Sequence, residues 1–304
     1  WAVGGARTSR GQRPFFSSFW TFTSTRIPTM RLPGRSSLAR CPALIAGLFV
    51  LALLAPGSLH AWKPDTQRAI ALDAAALAPP DLARLIQKHR KEYLRGTVEP
   101  LADTSGVRHM KNPDGSGELD QAVTGEMTAA IDLIRRHRPF AEVVARLGRI
   151  SHFIADANLP LNTANSDTYE ARYFRDFLDY ADSARPRFAV VFYGLGPEWK
   201  SPRDLQAWTR ATFARGRKLY PAIGEEYRRI GVVDGSRLFD DRSTAFAVAA
   251  LSYSHAVSDV ARALRYVWLA AGGVDPRARL AARRDALLVV DAGAAGSAGS
   301  NDGR

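Results

Sequence analysis

The sequence predicts an all-α protein, and three observations carry that expectation. Strand-like alternation of apolar and polar residues is nearly absent. Apolar residues recur at helical spacing, most plainly along residues 240–271. Strong helix formers fill stretches set off by Pro or Gly, as between Pro79–Pro80 and Gly96.

The first stretch, 65–78, opens on Asp65, a possible cap, and continues in strong helix formers. A second helix starts on Pro79 and Pro80 and is expected to stop at Gly96. Residues 97–117, with Pro100, Gly106, Pro113, Gly115 and Gly117, read as one long loop, and a loop of that length in a compact domain is usually functional or disordered. Helices follow at 118–137, 139–157, 167–183, 202–229 and 240–271. The last carries Phe246, Ala250, Tyr253, Val257, Val260, Leu264, Val267 and Ala271 on one stripe. Val248, Leu251, Tyr266 and Leu269 add an apolar opposite face, so this helix is expected to be central and nearly enclosed. Residues 187–196, RFAVVFYGLG, fit either a short strand or a buried turn of helix.

The ends of the chain read differently. Residues 1–29 are rich in Ser, Thr, Arg and Phe without periodicity, and are expected to be an upstream non-structural segment. From Met30 a basic region (Arg31, Arg35, Arg40), the apolar run ALIAGLFVLALLA (43–55) and PGSLHA have the layout of a secretory signal peptide over 30–61, with cleavage after Ala61. The apolar run is too short to span a bilayer. The mature chain would begin at Trp62, with no transmembrane helix, in the periplasm or outside the cell. Residues 62–273 form one domain, and 274–304, rich in Ala, Gly and Ser, a flexible tail. Removing the seven arginines of residues 1–61 leaves 35 basic against 30 acidic residues, so the net charge falls from +12 to +5. That is compatible with anionic lipid or nucleic acid and diagnostic of neither. The sole cysteine, Cys41, lies ahead of the apolar core of the signal, which excludes disulfides in the mature chain and argues against a lipid-anchored terminus.

The chemistry concentrates in SHFIADANLPLN (151–162). His152 and Asp156 are four residues apart, about 40° from each other around a helix, so imidazole and carboxylate on adjacent turns can share one metal ion. The competing reading is an ordinary solvated polar face, because Phe140, Val143, Leu147, Ile150 and Ile154 mark the core stripe on the other side. No Gly-rich phosphate loop, CxxC pair or heptad seam is present, and neither Ser105 nor Ser151 has a base arranged beside it. His255 and Asp259 repeat the same spacing on the last helix, where a His–Asp hydrogen bond in a crowded core explains them. Trp199 and Trp208 read as packing rather than a lipid-interface anchor.

The segment GRISHFIADANLPLN (148–162) resembles the His-x-x-x-Asp-x-x-x-x-x-His stretch of the zinc-dependent phospholipase C and single-strand nuclease superfamily. RHMKNPDG (108–115) is similar to the loop that supplies a further histidine there, and Trp62 matches the exposed N-terminal Trp whose amine and carbonyl bind zinc in the bacterial phospholipases. The resemblance implies a helical domain over roughly 62–271. It implies a zinc site of His109, His152 and Asp156, with Asp103 (or Glu99) as a further ligand and Trp62 and Glu170 (or Asp176) contributing. It also implies cleavage of a phosphodiester, in phospholipid or nucleic acid, with Asp103 as base and possible contact with a membrane surface. Losses accompany the matches. The family binds up to three zinc ions, but this chain has Gln67 on the first helix and Asn162 after the proline where histidines are expected, and no histidine near Ser166. One surviving zinc ion is the expectation. The alternative is a catalytically degenerate helical binding module of the cell envelope.

Overall fold

The computed structural model describes residues 61–276 except 197, 232 and 233, and all that follows concerns those residues. The expected upstream segment, the expected signal peptide apart from Ala61, and the expected tail beyond Pro276 lie outside them. The fold is all-helical, with no strand among the described residues. Eight α-helices run in order: α1 Pro64–Ala76, α2 Pro80–Lys88, α3 Arg90–Val98, α4 Leu119–Arg135, α5 Phe140–Ala157, α6 Glu170–Ala184, α7 Pro202–Ile230 and α8 Thr244–Ala270. Short 3-10 turns link them, including Val107–His109 and Pro160–Asn162. None is long and apolar enough to cross a membrane.

The chemistry of the termini accounts for most boundaries. Proline occupies the first turn of α1, α2 and α7, where its missing N–H costs nothing. Asp65 lies inside the first turn of α1, favourable to the helix dipole, and is not its cap. The 29-residue α7 opens with a reciprocal Ser201–Asp204 capping box and ends on Gly231 at φ +69°, a left-handed conformation glycine adopts without strain. Ser243 caps α8 by accepting from the Phe246 N–H at 3.2 Å. Helix α6 starts at Glu170 rather than 167 because the Asp167 carboxylate accepts from the Tyr169 N–H, a local turn that competes with the helix.

Two differences from expectation matter for the site. The second expected helix is two helices, broken at His89, whose ψ of +35° leaves the helical region. Gly96 does not end α3, which runs on to Val98. This glycine is a packing residue. A Cβ on Gly96 would lie 2.0 Å from the Ala145 carbonyl oxygen, and one on Gly148 would lie 2.2 Å from the Tyr93 carbonyl oxygen. Helices α3 and α5 therefore cross backbone to backbone. The Tyr93 hydroxyl donates to the Ala71 carbonyl at 3.0 Å and lies 2.8 Å from Ser151 Oγ, which ties α1 into the same crossing.

Helix α5 is thereby enclosed, packed against α1, α3, α4 and α8. It buries 13 residues, including Phe153, whose transfer from water contributes ~2–3 kcal/mol. Helix α8 is also central, packed on α1, α5 and α7, but its second face is open at Leu251, which is 40% exposed. Residues 188–196 form neither strand nor helix. They are tied to α8 by the N–H groups of Val191 and Tyr193, which donate to Ser254 Oγ (3.1 Å) and Ser258 Oγ (3.0 Å). Trp199 and Trp208 are buried against each other, ring centroids 5.0 Å apart, as packing residues.

Candidate metal centre

Helix α5 and the 3-10 turn Val107–His109 place three side chains together. His109, His152 and Asp156 are each 0% exposed, so the polar-face reading of α5 fails. The face that looked solvated in sequence is covered by α3 through the glycine crossing, by the 106–112 segment, and by α1. His109 Nδ1 lies 2.7 Å from Asp156 Oδ2, His152 Nε2 lies 3.0 Å from the same oxygen, and the two nitrogens are 3.2 Å apart.

The surrounding groups fix the orientation of the His152 ring. His152 Nδ1 lies 2.8 Å from the Thr97 carbonyl oxygen, which can only accept, so this nitrogen carries a hydrogen and donates. With Nδ1 so committed, His152 meets Asp156 Oδ2 and His109 Nδ1 through Nε2. The three donor atoms form a triangle with edges of 2.7, 3.0 and 3.2 Å. Zinc ligands at ~2.0–2.2 Å in tetrahedral array are ~3.3 Å apart, so a small closing cation needs only slight opening of this triangle. Two imidazoles and one carboxylate are a donor set that suits zinc. The residues fit the ion.

The second oxygen of Asp156 accepts from Gln67 Nε2 at 2.9 Å, so Gln67 orients the carboxylate instead of acting as a histidine would. Gln67 Oε1 and His109 Nε2 are buried without a hydrogen-bond partner. Asn162 Nδ2 donates to the backbone carbonyl of Asp156 at 3.3 Å, while its own carbonyl accepts from the Lys111 N–H at 2.8 Å, joining the turn after α5 to the segment after His109. Burial by itself would lower the His109 pKa, but the Asp156 hydrogen bond and charge raise it above the ordinary value. Burial would likewise raise the Asp156 carboxyl, and the His152 charge with hydrogen bonds from both imidazoles holds it below the usual range.

The other expected ligands lie elsewhere. Asp103 accepts from the Ser105 N–H (3.0 Å) and Oγ (2.7 Å), which lower its pKa; its charge acts on His109, but its carboxylate is outside the three-residue group. Glu99 is paired with Arg149 at 2.8 Å. Trp62 is buried and its indole N–H donates to the Ala155 carbonyl at 2.9 Å, which puts it on the helix that carries Asp156. Glu170 is bonded to the Tyr220 hydroxyl of α7, and Asp176 accepts from Tyr227 and Ser236. Asp259 takes Trp208 Nε1, Asn158 Nδ2 and Arg215 Nη2 as donors, while His255 stacks on Tyr193 at 4.2 Å, so the expected His255–Asp259 hydrogen bond is replaced. Sequence reasoning missed Thr97, which acts through its backbone and leaves no side-chain signal. It also missed Glu126, which gathers Arg108, Arg146 and Arg149 and so holds the residue before His109 against α5.

No family model and no curated protein matches the sequence. Among solved structures, the alpha-toxin of Clostridium absonum is similar with a TM-score of 0.53 at 13% identity, over 67% of this chain and 64% of that one. The chain shares its fold with the clostridial alpha-toxins. The alpha-toxin of an avian strain of Clostridium perfringens is similar with a TM-score of 0.50 at 13% identity, over 68% of this chain and 65% of that one. The chain thus spans under two thirds of the length of either alpha-toxin.

Glu170 supplies a pH-dependent prediction. Burial, with a smaller contribution from the Asp167 charge, pushes its carboxyl from 4.5 up to about 7, against the Tyr220 hydrogen bond. The folded protein then binds more protons than the unfolded chain between those two values, so this group's contribution is present below pH 4.5 and is lost as pH rises toward 7. Glu170→Gln should remove that loss: urea titrations of the two proteins should diverge upward from pH 5 to 8, the variant being the more stable at pH 8. Parallel stability curves across this range would contradict the assignment.

Proposed function

We propose that this chain is an exported, zinc-binding phosphodiester hydrolase of the phospholipase C-like kind, with a metal site reduced to one ion. The single observation that supports this most is the buried triangle of His109 Nδ1, His152 Nε2 and Asp156 Oδ2. Those three residues hold the ion, while Thr97 and Gln67 orient His152 and Asp156 from behind. Zinc in such a site supplies Lewis-acid polarisation and an activated water for attack on phosphorus. Asp103, close enough for its charge to act on His109, is the base in this reading. Processing after Ala61 makes Trp62 the first residue, whose amine and carbonyl the family resemblance offers as further ligands. The substrate is a phospholipid or nucleic-acid phosphodiester, and a lipid substrate would bring the protein to a membrane surface.

A second reading is favoured by one observation, the complete enclosure of all three side chains. Catalytic zinc keeps an open position for water and substrate, whereas structural zinc is closed in. In that reading the ion stabilises a binding module of the cell envelope. Turnover of a chromogenic phosphocholine ester and of single-stranded DNA, on protein carrying one zinc ion, separates the two. Slow zinc-dependent hydrolysis, ~10²–10³ below a site with its full set of charge stabilisers, is expected for the reduced hydrolase. Zinc-bound protein with no turnover on either substrate would favour the module.

A further inference from the structure

A cleft of about 560 Å³ lies between the 111–121 segment and α7, lined among others by Lys111, Asp120, Arg210, Phe213 and Arg217. Three cations face one carboxylate. Lys111 Nζ divides itself between Asp120 Oδ1 (3.3 Å) and the Gly117 carbonyl (3.0 Å). Arg217 is half-buried, and its guanidinium donates to two neutral acceptors, the carbonyls of Thr163 (3.0 Å) and Lys111 (3.3 Å). No carboxylate balances its charge among the described residues. Arg210 is exposed on the same wall and has no acidic partner there. The cleft therefore carries a net charge near +2, and a half-buried charge met only by carbonyls is costly unless an anion joins it.

We propose that this cleft binds a phosphate monoester, its phosphoryl dianion held by Arg210 and Arg217 with Lys111 beside them. Guanidinium forks match the oxygens of a phosphoryl group, and two positive charges suit a dianion better than a single carboxylate. The volume exceeds what an inorganic phosphate fills and lies in the range of small-molecule sites, so the ligand has an organic body. Phe213 and Pro113 give that body apolar surface. A nucleotide and a lipid headgroup present the same phosphoryl chemistry. The site is separate from the metal triad and does not rest on the hydrolase reading.

Isothermal titration calorimetry on the whole chain, both zinc-loaded and stripped of metal by chelation, tests this, with inorganic phosphate, adenosine 5′-monophosphate and phosphocholine as probes. One monoester should bind per chain, more tightly than inorganic phosphate, and the better of the two organic probes identifies the source. Arg210→Ala should weaken it at least ~10-fold, as expected for loss of one charge-assisted contact. Arg210→Glu should abolish binding, while Arg210→Lys retains most of it. Arg210 is exposed and without an acidic partner, so melting temperature and zinc content should stay at wild-type values in all three variants. Three results would overturn the proposal: no binding by any probe at millimolar concentration, undiminished affinity in Arg210→Glu, or binding that requires zinc and disappears in His152→Ala, which would place the anion on the metal.

Discussion

Gly148→Ala should lower the thermal midpoint of this protein by about 10 °C. The new Cβ would meet the Tyr93 carbonyl oxygen at 2.2 Å, and the atoms in its way are backbone, which cannot rotate aside. Overpacking of a well-filled core typically costs ~1–3 kcal/mol and more where backbone must move; ~3 kcal/mol corresponds to ~10 °C in a domain of this size. The consequence goes beyond stability. Separating α3 from α5 withdraws the Thr97 carbonyl from His152 Nδ1, so zinc affinity should fall as well, by ~10-fold or more as for loss of other orienting groups around a metal ligand. Gly125→Ala is the matched control, since a Cβ there meets nothing within 4 Å; it should be neutral or slightly stabilising through helix propensity. Differential scanning calorimetry and a zinc competition titration read both effects. Equal midpoints for the two variants would show that the crossing tolerates separation.

His152→Ala should have two distinct effects. In metal-free protein it leaves the Thr97 carbonyl without its donor and removes one of two imidazoles from the buried Asp156 carboxylate. Breaking a buried ionic group in this way costs ~3–5 kcal/mol. The second effect is loss of stabilisation by zinc. A ligand at 100 times its dissociation constant adds ~2.7 kcal/mol to a native state that binds it, or ~5–10 °C here, and the variant should show none of this shift. His255→Ala, stacked on Tyr193 away from the triad, should keep the full zinc response. A zinc-dependent shift that survives in His152→Ala would assign the ion to other ligands.

Much of this architecture is legible in the sequence because helix boundaries are written in local chemistry. Pro202 with Ser201 and Asp204 starts α7 and Gly231 ends it, within a residue or two of expectation. The last helix was likewise expected, at 240–271 against the observed Thr244–Ala270. What local pattern cannot carry is contact between elements. Gly96 has the appearance of a stop signal, and only the approach of Ala145 from another helix shows it to be a packing residue. The same limit applies to His152 and Asp156. Periodicity within α5 assigns them to the side away from the apolar stripe, yet over residues 150–157 this helix is covered on every side and has no solvent face. His109, from a separate segment, joins them as the resemblance implied. Asp103 and Glu170 do not join them, because nearby Ser105 and the distant Tyr220 take up their carboxylates.

Zinc K-edge X-ray absorption on protein loaded with one equivalent of zinc reads the ligands of the bound ion themselves. The expected spectrum shows nearest neighbours of nitrogen and oxygen only, at ~2.0–2.1 Å, with outer-shell scattering from two imidazoles, one from His109 and one from His152. A shell of water and carboxylate oxygens without imidazole scattering, or one unchanged in His152→Ala, would contradict it.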